Sequence, residues 1–263
     1  MTLTSDERDR LISAYPSASR LIKRFVGATE FIDARDRFAL WIEPNDVQWA
    51  SEIPEIGSRV ERVRALRAAS DRASTRKLAE VPWRFGEVRY KTTDSIIVPN
   101  HSSERRTYIP IGYLTADTII SNAANAVYDA EPWAFALLTS KIHVVWTAAV
   151  GGRIKTDFRY SNTIVYNNFP VPPLSNSMKE RLTEAALRVL DVREYHCEQT
   201  LAELYDPDLM PADLRAAHAE VDVLVDSIYS KRGYETDEQR LSDLFAMYEA
   251  MTAAESAKGN QKK

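Results

Sequence analysis

The apolar and polar positions divide the chain into stretches with different predicted secondary structure. Before Pro82 the spacing favours short helices with a few strands, and from Pro82 to Asp129 it favours short strands broken by turns. Beyond Pro173 it favours amphipathic helices joined by polar links. Before that last stretch, apolar residues at steps of three and four predict one buried helix over 132–149, and these residues are Phe135, Leu138, Ile142, Val145 and Trp146.

Turn and capping residues give the predicted elements their approximate bounds. In the first stretch we predict helices ending near Ala14, over Ser17–Phe25 and from Pro54 to about Arg72, with strands at Glu30–Ile32 and Phe38–Ile42. In the second we predict strands at Val88–Tyr90, Ser95–Val98, Thr107–Ile109, Thr118–Ser121 and Ala126–Tyr128. In the last we predict helices from Ser177 to about Gln199, over Pro211–Ser230 and over Asp237–Ala254.

Together these elements predict an α+β fold, in which a small mixed β-sheet domain with packed helices precedes an α-helical C-terminal domain. The first two helices carry too few apolar residues for a core of their own, so we interpret them as a connector. The predicted divisions are a helical connector at 1–26, the sheet domain at 27–173, the helical domain at 174–257 and a disordered tail at 258–263.

A polar edge follows the predicted buried helix. Gly151 and Gly152 end that helix, because glycine adopts the backbone conformations that helix ends require. The charged residues Arg153, Lys155, Asp157 and Arg159 then alternate with Ile154, Thr156 and Phe158. Because alternate residues of an extended segment point the same way, we expect Lys155 and Asp157 to lie side by side on one edge.

Composition and charge narrow the class of protein. The sequence is 44% hydrophobic and 27% charged, has no apolar run of the ~20 residues that a membrane span needs, and begins with a polar segment. We therefore expect a cytoplasmic protein without a membrane partner. Residues 175–257 carry 8 lysines and arginines against 18 acids, whereas residues 1–174 carry 23 against 20. Residues 1–174 are thus the part of the chain that is suited to binding a polyanion.

Four segments carry a resemblance to a known family. The segments are GGRIKTDFRYSNTIVYNNFPVP after the predicted helix, FALWI at Phe38–Ile42, SSERRTYIPIGYL at Ser102–Leu114 and LAELYDPDLMPADLRAAHAEVD at Leu201–Asp222. In this order they resemble the target-recognition region and following helical part of MmeI-like (type IIL) restriction-modification enzymes, which are SAM-dependent adenine-N6 DNA methyltransferases. The resemblance implies that the sheet domain recognises double-stranded DNA.

The sequence holds no motif for the chemistry of such an enzyme. A methyltransferase of this class needs a glycine-bearing cofactor loop and an Asn/Asp-Pro-Pro-aromatic motif, and neither occurs here. We therefore expect no cofactor in this chain, SAM in the complete enzyme, and a catalytic domain that lies upstream or in a separate chain. With one cysteine, Cys197, the chain also lacks a cysteine-rich metal site, and we predict no bound metal.

The resemblance implies which residues read bases. Asn122, Lys155, Asp157 and Arg159 occupy the places where these enzymes vary their base-reading side chains. Their chemistry suits the task, since Lys and Arg donate to guanine, Asn pairs with adenine and Asp accepts from cytosine in the major groove. On the pattern alone, the alternative is that these side chains are simply solvated.

Phosphate contacts are expected beside them. The candidates are His101, Ser102, Ser103, Arg105, Arg106 and Arg153. The seven basic residues between Arg59 and Lys77 suit either a phosphate-facing helix or an ordinary solvated one. His218 and Asp222 stand four apart on one predicted helix, a spacing that allows a metal site but more often reflects hydrogen bonds between helices.

Two functions remain open from the sequence. The first is the DNA sequence-recognition (specificity) part of a SAM-dependent adenine-N6 methyltransferase of a restriction-modification system, without the catalytic domain. The second is a protein-interaction or scaffold subunit that docks a partner through its acidic helical half. The first predicts that the basic residues of 59–77, 101–106 and 153–159 converge on one face, whereas the second lets them scatter.

Overall fold

The computed structural model describes residues 1–260, in which helices and three small sheets alternate along the chain. The strands are β1 (Thr2–Leu3), β2 (Ile22–Val26), β3 (Phe38–Leu40), β4 (Ser95–Pro99), β5 (His101–Ser102), β6 (Gly112–Leu114), β7 (Thr118–Ile120), β8 (Ala124–Tyr128), β9 (Gly152–Ile154) and β10 (Asp157–Arg159). The helices are α1 (Ser5–Ala14), α2 (Ala28–Ile32), α3 (Val47–Glu52), α4 (Pro54–Ala68), α5 (Ala73–Lys77), α6 (Pro132–Thr139), α7 (Lys141–Val150), α8 (Asn176–Tyr195), α9 (Leu201–Leu204), α10 (Ala212–Tyr229) and α11 (Asp237–Asn260).

The sheets are small and are built from strands distant in sequence. One has the order β1-β3-β2-β7 and is mixed, because β2 and β7 run parallel while the other pairs are antiparallel. The other two, with the orders β6-β4-β8 and β5-β10-β9, are antiparallel. The predicted α+β class with a helical C-terminal part is confirmed, although the β residues form several sheets instead of one.

The N-terminal residues are part of the folded unit, which corrects the predicted helical connector at 1–26. The predicted helix Ser17–Phe25 is a 3-10 helix at Pro16–Leu21 followed by strand β2, which pairs with both β3 and β7. Apolar residues of this segment are buried against those of β3 and α4 in one hydrophobic cluster, which includes Leu3, Leu11, Leu21, Phe38, Leu40 and Ile56. The segment has its core, but the partners come from later in the chain.

Other short elements also differ from prediction. Glu30–Ile32, predicted as a strand, lies in helix α2, where the Glu30 side chain accepts a hydrogen bond from Gly27 N at 2.9 Å. Residues 88–90 and 107–109 belong to no strand. The final helix α11 extends to Asn260, into the tail predicted to be disordered at 258–263, and residues 261–263 lie outside the described residues.

The predicted buried helix over 132–149 is two helices that meet at Ser140. Ser140 has an extended backbone, with φ −72° and ψ 156°, and its hydroxyl caps α7 by accepting from His143 N. Helices α6 and α7 therefore bend by 58° relative to each other. Within residues 1–260 no single helix is long and apolar enough to cross a membrane, although this bent pair would pass that test if taken together.

The C-terminal helices share one core with the middle of the chain. Buried residues of α8, α10 and α11 pack in the same cluster as those of β4, α6 and α7, and this cluster includes Ile96, Phe135, Ile142, Leu182, Val221 and Leu244. A boundary at 173/174 therefore passes through a continuous core. The C-terminal helices therefore pack against α6 and α7, and α7 leads directly into β9.

Buried hydrogen bonds connect the C-terminal helices to the preceding part of the chain. Arg193 of α8 donates to Ile111 O at 2.6 Å and to the Tyr205 hydroxyl, which also meets His218 Nε2 at 2.7 Å. Asp222 of α10 accepts from Lys141 N and from the Tyr108 hydroxyl, both at 2.7 Å. These hydrogen bonds agree with the expectation that His218 and Asp222 bond to other elements of the fold.

Candidate nucleic-acid interface

The sheet β5-β10-β9 has an exposed face that brings together three of the predicted site residues. Asp157 and Arg159 alternate on β10 and are exposed, while Phe158 between them is buried. Arg159 lies directly opposite the exposed His101 of β5. Because cross-strand partners and alternate residues share a face, the side chains of Asp157, Arg159 and His101 form one charged and polar surface.

Lys155 does not lie beside Asp157 as the sequence predicted. The register pairs Asp157 with Ile154, so Lys155 and Thr156 form a two-residue turn between β9 and β10. Lys155 has a positive φ of 57°, the left-handed conformation that such tight turns require. The prediction that Lys155 and Asp157 lie on one edge of an extended segment is therefore wrong. The residues at alternate positions of a strand are Asp157 and Arg159.

Two of the predicted phosphate contacts lie on the opposite face of this sheet. Ser102 and Arg153 both pair with the buried Phe158, which places them on its side of the sheet. Ser102 is 4% exposed, and its hydroxyl has no hydrogen-bond partner among the described residues. Arg153 donates to Glu104 at 3.0 Å and to Thr156 O at 3.1 Å. Ser102 is thus inaccessible to a phosphate, and Arg153 already has partners.

The remaining predicted phosphate contacts lie in the turn after β5. The Ser103 hydroxyl accepts from Arg105 N at 3.3 Å, so this side chain shapes the turn. The Arg105 guanidinium is exposed and pairs with Asp208 at 2.7 Å. Burial lowers the pKa of the half-buried Arg106, while attraction to acids that include Asp157 acts in the opposite direction. Arg105 and Arg106 therefore lie in the turn that follows β5, and each has acidic side chains nearby.

Asn100 connects the Asn122 turn to the end of β10. Its side chain donates to Asn122 O at 2.9 Å and accepts from Asn125 Nδ2 at 2.7 Å. Its carbonyl accepts from Tyr160 N at 2.8 Å, directly after Arg159. The exposed Asn122 is therefore held at a fixed position relative to the exposed face of β10. Asn100 was not among the predicted site residues, because nothing in a single sequence shows that its side chain and its backbone carbonyl bond to residues 22 and 60 positions away.

A groove of about 480 Å³ opens beside this connection. It is lined by the irregular segment 85–90, the end of β7, the Asn122 turn and β8, among other residues. Amide side chains from four places in the sequence line it: Asn100, Asn122, Asn125 and Asn162. Such amides can both donate and accept hydrogen bonds, as base edges and sugar-phosphate groups require.

Helix α7 packs against the end of strand β10 and the turn that follows it. His143 Nε2 lies 3.0 Å from the Tyr160 hydroxyl, and Trp146 Nε1 donates to Val165 O at 3.0 Å. Both His143 and Trp146 are buried, and burial lowers the pKa of His143 to about 3. The π-helical turn Asn162–Tyr166 is closed by Asn168, which donates to two of its carbonyls. Tyr160 and Asn168 thus stabilise the backbone of this region.

The basic stretch Arg59–Lys77 is used largely within the protein. Arg67 donates to the carbonyls of Leu78, Val81 and Arg84, and thereby holds the segment that leads to the groove. Arg59 pairs with Glu7, Arg64 with Glu61, and Arg76 donates to Ser70 O and Asp71 O. This stretch therefore resembles a structural helix more than a phosphate-binding one.

The arrangement offers binding groups and no centre for metal chemistry. Within residues 1–260, no three His, Cys, Asp or Glu side chains converge closely enough to hold a metal ion. The exposed face and the groove instead present amides, guanidiniums, an imidazole and carboxylates. These are the groups that recognise base edges and phosphates.

Comparison with protein families gives two adjoining matches. Residues 1–173 match the family described as MmeI, target recognition domain. Residues 174–254 match the family described as MmeI, C-terminal domain.

Individual relatives agree with these matches over most of the chain. DNA methyltransferase A of Bacillus subtilis (strain 168) is 41% identical over 254 residues, which are 96% of this chain and 29% of that protein. A solved structure of the type IIL restriction-modification enzyme MmeI in complex with DNA is 36% identical, with a TM-score of 0.91 over 96% of this chain and 34% of that one. The chain thus spans only about a third of the length of either relative.

Proposed function

Because the chain belongs to the MmeI family and comprises its target recognition and C-terminal domains, we propose that it is the DNA sequence-recognition part of an adenine-N6 methyltransferase of a restriction-modification system. The complete enzyme uses SAM, and its catalytic domain lies outside this chain, upstream or in a separate polypeptide. The partner of the chain is double-stranded DNA.

The observation that carries this proposal is the shared exposed face of β5 and β10 beside the Asn122 turn. It presents Asp157, Arg159 and Asn122 on backbone that Asn100 and α7 hold in place. A reading surface needs this rigidity, because discrimination between bases depends on hydrogen-bond geometry. Solved MmeI with DNA, which has the same fold over this region, supports the choice of ligand.

We assign base reading to Asn122, Asp157 and Arg159, with Lys155 at the tip of the adjoining turn. Arg159 is suited to guanine O6 and N7, Asp157 to the cytosine amino group and Asn122 to adenine. His101, Arg105 and Arg106 lie at or beside the same face and are assigned to phosphates. We do not assign Ser102 or Arg153 to phosphates, because Ser102 is buried and Arg153 lies on the opposite face of this sheet.

The placement of charge favours this function over a protein-interaction subunit. The segments 101–106 and 153–159 adjoin each other through the pairing of β5 with β10. The basic residues of 59–77 instead bind mainly to carbonyls and acids of the protein itself. Of the three basic segments that the recognition hypothesis expected on one face, 101–106 and 153–159 are thus neighbours, and the contacts of 59–77 do not support its inclusion.

Duplex binding by the isolated chain tests the proposal. We expect weak binding whose affinity falls steeply between 50 and 200 mM salt, since phosphate contacts release counterions. Replacing Arg159 with Glu should weaken it about tenfold or more, because it places a carboxylate where a guanidinium donates. Fluorescence anisotropy with a labelled duplex measures both effects.

The matched control is Arg232→Glu, which makes the same change at an exposed residue of the helical half. It should leave affinity close to that of the unaltered chain. The proposal is wrong if the chain shows no saturable duplex binding, or if both substitutions weaken binding equally.

A further inference from the structure

The segment 85–90 lines the groove beside Asn100, and it carries a charged pair. Both Glu87 and Arg89 line this groove, as do Asn122 and Asn162. The two side chains are 70% and 76% exposed, respectively. They are the charged residues among those that line this groove within the described part of the chain.

The pair is built around one guanidinium and one carboxylate oxygen. Arg89 Nε donates to Glu87 Oε1 at 2.8 Å, and Arg89 Nη2 donates to the same oxygen. Among the described residues, the Arg89 side chain makes no other hydrogen bond or ion pair. It therefore stabilises no other part of the fold, unlike Arg67, which binds three backbone carbonyls.

We propose that Arg89 is a further DNA contact, which binds a backbone phosphate at the groove that Asn122 also lines, and that Glu87 accepts from its guanidinium until DNA binds. This inference rests on the proposed function, since it names an additional contact of the same interface. The Glu87 carboxylate stands in for the phosphate, because both present anionic oxygens that accept from the N–H fork of arginine.

The exposure of the pair makes this exchange inexpensive. An ion pair between two solvated side chains contributes little, so releasing Arg89 from Glu87 costs little. A phosphate offers the guanidinium a permanent charge and releases a counterion when it is bound. The groove is also lined by neutral amides, which do not repel a phosphate chain. Exchange of the Glu87 carboxylate for a DNA phosphate as the partner of Arg89 is therefore favourable.

The two members of the pair should have opposite effects on duplex binding by the chain. Replacing Arg89 with Ala should weaken binding about 5–10-fold on any duplex sequence and reduce the slope of log affinity against log salt by about 0.9. Replacing Glu87 with Gln should strengthen binding about threefold, because it removes the competing carboxylate. In the Arg89→Ala background, the Glu87→Gln change should have no effect.

An exposed pair in the helical half is the matched control. Arg188 and Glu220 lie 3.3 Å apart with side chains 61% and 49% exposed, and we place neither at the interface. Arg188→Ala and Glu220→Gln should leave both affinity and salt slope unchanged. Thermal unfolding of each variant at the same salt confirms that the fold is retained.

Two results overturn the inference while leaving the proposed function intact. One is that the chain and its Arg89→Ala variant bind duplex with the same affinity and salt slope. The other is that the gain from Glu87→Gln persists without Arg89, which would make it a general effect of net charge. If the unaltered chain binds no duplex at any salt, the inference and the proposed function are both wrong.

Discussion

Replacing Arg240 with alanine is expected to lower the free energy of unfolding by about 3–5 kcal/mol. Arg240 donates to both carboxylate oxygens of Asp226, at 3.2 and 2.6 Å, and the two side chains are 13% and 8% exposed. Truncation would leave the Asp226 carboxylate buried without its partner, and that costs far more than the pair itself contributes. Denaturant unfolding at pH 7 measures the change.

The location of this pair explains why the effect extends beyond one helix. Asp226 lies on α10 and Arg240 on α11, and α11 also places Phe245 and Tyr248 about 5.7 and 5.8 Å from the ring of Trp146. Trp146 is on α7, the helix that also carries His143, which contacts Tyr160 at the end of β10. Loss of the pair should therefore loosen α11 from α7.

Two comparisons check the cause. Arg188→Ala, which breaks the exposed pair with Glu220, should cost less than about 1 kcal/mol. The double variant Arg240→Met, Asp226→Leu should recover most of the lost stability, since no charge of this pair remains buried. Equal costs for the two alanine variants would contradict the buried-charge explanation.

Lowering the pH from 7 to 5 is expected to destabilise the chain through His143 by about 2 kcal/mol. Burial lowers the pKa of His143 to about 3, so the folded protein keeps this ring neutral at pH 5. The unfolded chain instead binds a proton at its ordinary pKa near 6.5. A group with a depressed pKa in the folded state contributes stability above the unfolded value, and this stability is lost as the pH falls.

Burial also lowers the pKa of His218 well below its ordinary value, and this has the same sign. Asp222 acts the other way, because burial raises its pKa to about 6 and the folded state then takes up a proton that the unfolded state does not. Between pH 7 and 5, Asp222 therefore contributes a gain of about 1 kcal/mol.

Urea unfolding of variants at the two pH values separates these contributions. His143→Gln, which can still bond the Tyr160 hydroxyl, should lose about 2 kcal/mol less than the unaltered chain on going from pH 7 to 5. Asp222→Asn should lose about 1 kcal/mol more. If the pH dependence of all three proteins were the same, these two groups would not determine it.

The sequence predicted best what depends on local pattern. The helix near Ser177 begins at Asn176, where the Ser175 hydroxyl accepts from Met178 N at 3.2 Å, and α10 and α11 begin within one residue of their predicted starts. Amphipathic spacing and capping residues are local signals, so one sequence carries them.

The features that the sequence could not predict depend on distant partners. Strand β2 was interpreted as helix, because it becomes a strand only through its pairing with β3 and with β7, and β7 lies about 94 residues further along the chain. The turn at Lys155 was missed because no glycine or asparagine marks its left-handed position. That error shifted the alternating pair by two residues, from Lys155 and Asp157 to Asp157 and Arg159.

The most direct test of the central claim, that β10 reads base edges, exchanges its two charges. Under the proposed assignment, Asp157 would accept from the amino group of a cytosine while Arg159 would donate to the paired guanine, each contact contributing about 1–3 kcal/mol of discrimination. The double substitution Asp157→Arg with Arg159→Asp reverses the order of acceptor and donor along the strand. It should therefore favour the same base pair in the opposite orientation.

The measurement is sequencing of methylated sites produced by this chain joined to its catalytic methyltransferase domain, before and after the exchange. The account predicts that one position of the recognition site changes from G·C to C·G, or the reverse, while the other positions stay the same. Unchanged specificity with full activity would contradict it and remove Asp157 and Arg159 from the reading surface.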